Sequence, residues 1–170
     1  MLIGNPYKFA IYAELVKEWN DKGATWHNGL LYLYVDGTPF PDEAYTATFE
    51  VDIRKLIYRL SSIGINKELF NEVQAKAYEK MCDIAFQISN ESDIWHQNLI
   101  SPPTLYDYNY YIFAVSDGKQ IRILAARPDE KDEYEDGYRL ILQNLKIKEA
   151  FIPCEYLEKM LLELENWTWK

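Results

Sequence analysis

The chain has 170 residues, 48% of them apolar and 26% charged, with 27 acidic against 18 basic side chains and a net charge of −9. A single domain spanning 1–170 would bury about 70% of the surface its unfolded chain exposes, so neither a metal nor a disulfide staple is required. The acidic balance excludes the basic footprint that displaces counterions from nucleic acid, and it disfavours docking on anionic lipid. A surface of this sign selects basic partners.

The opening Met1-Leu2-Ile3-Gly4-Asn5-Pro6-Tyr7-Lys8 lacks the basic segment and apolar core of a secretion signal. No apolar run reaches the roughly 20 residues that span a bilayer. The expected compartment is the cytoplasm, where Cys82 and Cys154 stay as free thiols. The triplets Asn90-Glu91-Ser92 and Asn166-Trp167-Thr168 are then chance matches to a glycosylation acceptor.

Phe9, Ile11, Ala13 and Leu15 alternate with Lys8, Tyr12 and Glu14, the period of a strand. Leu30 to Val35 is a second strand, closed by Asp36-Gly37, the dipeptide that tight hairpins prefer. After the corner from Pro39 to Pro41, Tyr45, Ala47, Phe49 and Val51 alternate with Thr46, Thr48, Glu50 and Asp52, which predicts a third strand. Ile53, Leu56, Ile57 and Leu60 then share a helical face, with Asp52 placed to cap its start and Gly64 its end. Asn66 opens a helix of about six turns along Leu69, Phe70, Val73, Ala77, Met81, Ile84, Ala85 and Ile88.

Ser89 to Asn109 follows neither period and contains Trp95-His96, Pro102-Pro103 and Tyr106-Asp107-Tyr108. Loops of that length often carry function. Tyr110 to Val115 and Gln120 to Ala126 form a hairpin around Ser116-Asp117-Gly118-Lys119. An acidic run from Asp129 to Asp136 comes next, then short strands over Tyr138 to Gln143 and Lys148 to Ile152. Pro153 suits a first helical position, and Leu157, Met160, Leu161 and Leu164 give the last helix its apolar face. The pattern predicts an α+β fold, a mainly antiparallel sheet of six to seven strands with three helices packed on one face.

Residues for catalysis are scarce. His27 and His96 are the only histidines, and with Cys82 and Cys154 they lack the spacing of a zinc site. No G-x-S-x-G elbow, Walker loop or Rossmann glycine pattern occurs. Cys82 on an apolar helix face reads as an inert core thiol. No enzyme, metal or cofactor is therefore expected. Binding is better supported by 14 Tyr and 5 Trp, large rings with a polar tip that suit interfaces. Several adjoin carboxylates, and the expected partner-binding residues are Asp107, Tyr108, Glu130, Asp132, Glu133, Tyr134, Glu135 and Asp136.

The opening Ile3-Gly4-Asn5-Pro6-Tyr7-Lys8-Phe9-Ala10-Ile11 resembles the start of a bacterial immunity-protein family, numbered forty-two among polymorphic-toxin immunity proteins. So do Val16-Lys17-Glu18-Trp19-Asn20, Trp26-His27-Asn28-Gly29-Leu30 and Val35-Asp36-Gly37, while Phe151-Ile152-Pro153-Cys154-Glu155-Tyr156-Leu157 fits in outline. The resemblance implies a protein of a contact-dependent or polymorphic toxin locus that binds the C-terminal domain of its cognate toxin and neutralises it. It carries no catalytic residues. The physical reading of the motif is structural: Gly4-Asn5-Pro6 turns into the first strand, and Trp19, Trp26 and Leu30 pack in the core or on strands. Specificity would then lie in Ser89 to Asn109 and the acidic run. Two other classes compete, an adaptor for a different basic protein and a small hydrolase using Cys82 or a carboxylate pair. A toxin gene upstream favours immunity over the adaptor, and a deep pocket with perturbed ionisable groups would favour the hydrolase.

Overall fold

A computed structural model of the chain describes residues 1–86, 98–128, 131–134, 137–140 and 145–168. It begins with strands β1 (Leu2–Gly4), β2 (Phe9–Leu15), β3 (Asn28–Val35), β4 (Thr38–Phe40) and β5 (Ala47–Thr48), ordered β1-β2-β3-β4 with β5 also paired to β3. Antiparallel register sets Phe9 opposite Val35, Ile11 opposite Leu33 and Ala13 opposite Leu31. All six are buried on the inner face. The other parity sets Tyr12 opposite Tyr32 on the outer face. Asp36 and Gly37 both take positive φ, 49° and 73°, the geometry that matches a two-residue turn to strand twist. Gly4 also needs its hydrogen: at φ +94° a Cβ would lie 2.6 Å from the Phe9 carbonyl oxygen and 2.8 Å from the Met160 methyl.

Helices α1 (Phe49–Ser61), α2 (Lys67–Asn71), α3 (Gln74–Phe86) and α4 (Pro103–Asp107) follow. Strands β6 (Tyr111–Ser116), β7 (Gln120–Ala126), β8 (Lys131–Tyr134), β9 (Gly137–Leu140) and β10 (Lys148–Pro153) lead to the last helix, α5 (Cys154–Asn166). A second antiparallel sheet runs β10-β7-β6, and β8 pairs with β9 as a separate hairpin.

Both faces of the second sheet are covered. Ile112, Ala114, Ile121, Ile123, Ala125 and Ile152 join the inner face of the first sheet, with Ile53, Leu56 and Leu60 of α1 and Leu157, Met160 and Leu164 of α5. Tyr111, Phe113, Val115, Leu124 and Ala126 face the other way, against Leu69, Phe70, Ala77, Tyr78, Met81 and Cys82. A strand with no wet face has no reason to alternate, which is why these segments read as unbroken apolar runs.

The α+β class and the antiparallel pairing are as the sequence predicts, but the counts differ. Among the described residues, two sheets and a hairpin replace one sheet, and five α-helices lie on two sides instead of three on one. The strand predicted from Tyr45 to Asp52 shrinks to Ala47–Thr48, and α1 starts at Phe49. Phe49 serves either period, and Val51 is 44% exposed where a strand would have buried it. Gly64 is not the cap of α1, which ends at Ser61 with Ser62 as its C-cap. The predicted six-turn helix breaks into α2 and α3 at Glu72 and Val73. Arg122 supplies the cause. Its guanidinium, 4% exposed, donates to the carbonyls of Phe70 at 2.8 Å and Glu72 at 2.7 Å, and pairs with the Glu149 carboxylate at 2.6 Å. Carbonyls spent on Arg122 are not aimed along a helix axis. In the predicted loop, Leu99 bridges to Phe113 and α4 forms behind Pro102, whereas 89–97 lie outside the described residues. Pro153 caps α5 one position before its first helical residue.

Removing one partner of a buried ion pair strands the other charge. Arg122→Ala should lower the unfolding free energy by about 3–5 kcal/mol in a urea titration. Arg122→Lys should recover little of it, because one ammonium cannot serve two carbonyls and a carboxylate in the guanidinium's planar geometry.

Candidate functional site

The segment predicted to carry Asp107 and Tyr108 is positioned by a carboxylate from another element. Asp52, 1% exposed in the first turns of α1, accepts the Thr48 backbone N–H at 2.8 Å. It also accepts the Thr104 N–H and the Thr104 hydroxyl, each at 2.8 Å. Asp52 is not the N-cap that the sequence predicts: α1 starts earlier, Thr48 holds the N-cap position, and Asp52 reaches back from inside the helix to the Thr48 N–H while anchoring the start of α4. Beyond Asp107 the chain turns sharply. Asn109 takes φ +66°, a conformation asparagine tolerates better than most residues, and the Tyr110 N–H closes the turn onto the Leu105 carbonyl at 2.9 Å.

That turn lays Tyr108 on Tyr45, with ring centroids 3.8 Å apart and planes at 23°. Tyr110 is buried beneath, its hydroxyl donating to the Asp42 carboxylate. Burial first, then the hydrogen bond to Asp42, push its phenol well above the ordinary range. The Arg127 guanidinium lies over the Tyr110 ring at 4.7 Å and reaches Asp42 at 3.4 Å. The Tyr45 hydroxyl donates to Glu43 at 3.2 Å. The result is an exposed surface of Asp42, Glu43, Asp107 and Tyr108, over a floor of Tyr45 and Tyr110.

Of the residues predicted to bind, the structure brings Asp107 and Tyr108 together here. Asp132, Glu133 and Tyr134 lie on β8, opposite Arg139, Tyr138 and Gly137, in a hairpin whose β9 runs beside α3. Glu130, Glu135 and Asp136 fall outside the described residues. Sequence reading missed Asp42, Glu43, Tyr45 and Arg127. The signal available was Asp-Glu directly after the Pro39 to Pro41 corner, a turn that must expose the residues beyond it.

The family motif needs a correction. Trp19 and Trp26, read as core or strand-packing residues, are 42% and 56% exposed, and Leu30 is only half-buried, on the outer face of β3. The link from β2 to β3 leaves the sheet at Val16, so neither tryptophan has an inner face to turn to. The Gly4-Asn5-Pro6 turn is as predicted, with the Asn5 side chain accepting the Tyr7 N–H at 3.0 Å.

Other chemistry finds little material. Cys82 and Cys154 are free thiols. Burial, reinforced by Asp83, pushes the Cys82 thiol far above its usual range, so it is not a nucleophile at neutral pH. The His27 Nδ1 meets the Glu50 carboxylate at 2.5 Å, and His96 lies outside the described residues. Among the described residues no three His, Cys, Asp or Glu are grouped to hold a metal ion, and no helix is long and apolar enough to cross a membrane. An open groove of about 280 Å³ is lined by Asn66, Glu68, Leu69, Lys80, Asp83 and Ile84. Its Lys80 is committed to Glu72 at 2.7 Å, and the groove assembles no nucleophile with a base.

A protein-family model described as Immunity protein 42 matches residues 1–167. Among solved structures, the chain is similar to the crystal structure of CdiI from Burkholderia dolosa AUO158, with a TM-score of 0.72 and 22% identity, covering 97% of this chain and 98% of that one. At that identity the likeness shows the fold. No curated protein matches.

Two outcomes test the local chemistry. Asp52→Ala should cost about 3 kcal/mol in denaturant unfolding, since it leaves buried N–H donors without their charged acceptor. Mass spectrometry after brief alkylation of native protein should find Cys154, which is half-buried, labelled well before Cys82.

Proposed function

This chain belongs to the Immunity protein 42 family, and we propose that it neutralises its cognate toxin by stoichiometric occlusion, as one cytoplasmic domain and without turnover. The observation that carries the reading is the surface of Asp42, Glu43, Asp107 and Tyr108, exposed carboxylates around a stacked tyrosine pair. Its own cation, Arg127, is already committed to Asp42 and to the Tyr110 ring. A partner supplying lysine or arginine gains both carboxylate and ring contacts there. The net charge of −9 extends the attraction over the whole molecule.

The partner of that chemistry is a basic toxin domain, and the class that needs a basic surface for its own work is a nuclease. A cationic cleft built for phosphate is the natural target of an acidic cover. Nucleic acid and membrane are not partners in this reading. The six carboxylates between Asp129 and Asp136 add to the field whether or not they touch the toxin. Long-range attraction of this kind governs encounter more than the final affinity, and it is screened over about 8 Å at physiological salt.

Stopped-flow kinetics with the purified toxin domain encoded upstream test the reading. The association rate should fall about tenfold or more from low to high salt, with dissociation changing less. Replacing Asp42, Glu43 and Asp107 by their amides should slow association, as should amide replacement of Glu130, Asp132, Glu133 and Glu135. Tyr108→Ala and Tyr134→Ala should instead speed dissociation if their rings are buried by the toxin. Salt-independent association with silent charge variants would remove the acidic-surface assignment, and a toxin that cuts no nucleic acid would remove the nuclease assignment.

A further inference from the structure

Trp19 and Trp26 stand in solvent on a segment that is firmly held. The Asn20 side chain donates to the carbonyls of Val16 at 2.6 Å and Asn28 at 2.8 Å, and accepts the Asn28 N–H at 2.6 Å. The Asn28 side chain donates to the Trp19 carbonyl at 3.4 Å. On the other side of the link, Glu50 takes both the backbone N–H of His27, at 2.8 Å, and its ring Nδ1. The His27 carbonyl accepts the Phe49 N–H at 2.9 Å. Both tryptophans therefore sit at pinned ends of the link, with Asp21 to Thr25 between them.

An exposed tryptophan on a loose loop is unremarkable, but two on a pinned loop are preorganised. The entropy of ordering the backbone is lost on folding, so a partner that covers the rings does not lose it again. Tryptophan is also the side chain most enriched where truncation weakens an interface most. The neighbouring exposed charges, Lys17, Glu18, Asp21 and Lys22, are of mixed sign, so what distinguishes this loop is its apolar rings.

Hydrogen bonds through the buried Asp52 tie the loop to the start of α4. Asn28 Oδ1 accepts the Thr48 hydroxyl at 3.0 Å, the Thr48 N–H donates to Asp52, and Asp52 holds Thr104 at the head of α4. One hydrogen-bonded chain thus joins Trp19 to the helix that leads into Tyr108. We infer that Trp19 and Trp26 are the apolar anchors of the toxin interface, seated in an apolar pocket of the same toxin domain whose basic surface the carboxylates attract. This rests on the immunity reading and adds a division of labour to it: carboxylates set the rate of arrival, and the tryptophans set the residence time.

The experiment is binding kinetics of Trp19→Ala and Trp26→Ala against the purified toxin domain encoded upstream, beside the amide variants of Asp42, Glu43 and Asp107. Each tryptophan variant should dissociate at least about tenfold faster, with association and its salt dependence unchanged. The free variants should melt close to the unmodified chain, because neither ring is in the core. Trp26→Phe should recover part of the residence time, which separates loss of an anchor from disturbance of the loop. Tight binding by the unmodified chain with unchanged dissociation in both tryptophan variants would overturn the anchor assignment and leave the immunity reading standing. No binding by the unmodified chain would overturn both.

Discussion

The Asp52 carboxylate is the constraint on which the candidate site of this molecule depends. A buried carboxylate is tolerated only when its lone pairs are occupied, and Asp52 fills them with a donor from β5 and two from α4. Thr48 is four residues from Asp52 and Thr104 is 52 residues away, yet neither can move without orphaning a buried charge. The start of α1 becomes a fixed point hydrogen-bonded both to the head of α4 and, through Thr48 and Asn28, to the tryptophan loop. A five-residue helix such as α4 has too few internal hydrogen bonds to persist alone. Asp52 gives its first turn an anion to lean on, and the turn at Asn109 inherits that position.

Arg122 plays the matching part in the other half. It lies on a face of β7 otherwise given to Leu124 and Ala126, against α2 and α3. Such a site would expel a charge unless the charge were fully bonded. Glu149 on the neighbouring β10 and the carbonyls at the α2–α3 break provide that bonding. The break is thus part of how the second sheet stays buried on both faces. Two long-range polar contacts, one anionic and one cationic, hold short helices that propensity alone would not place.

The proposed binding surface lies where these constraints release the chain to solvent. Among the described residues the Arg59 Nε is the one buried side-chain polar atom without a hydrogen bond, Cys82 is silenced by burial, and the described histidine is held by Glu50. What remains for a partner is aromatic area and negative charge on a rigid frame. Under the proposed immunity reading, such a surface offers a cationic protein both contact area and field.

Local pattern along the chain is enough to establish the α+β class, the two hairpins at Asp36-Gly37 and Asp117-Gly118, the capping role of Asn66, and the resemblance to the family, whose motif runs from β1 through the β2–β3 link to the turn after β3. Period, turn chemistry and capping act over a few residues and leave their mark in order along the chain. Folding alone settles that Phe49 belongs to a helix, that the Asn66 helix breaks at Glu72, and that Trp19 and Trp26 face solvent. Each depends on a partner distant in sequence, respectively Asp52 with Thr104, Arg122, and the Asn20–Asn28 clasp with Glu50. The same holds for the site. Asp107 and Tyr108 were legible as an acid beside a ring, but Tyr45, Asp42 and Arg127 join them only through folding. No local pattern records which side chains a buried charge will gather around it, because that choice is made by desolvation in three dimensions and not by spacing in one.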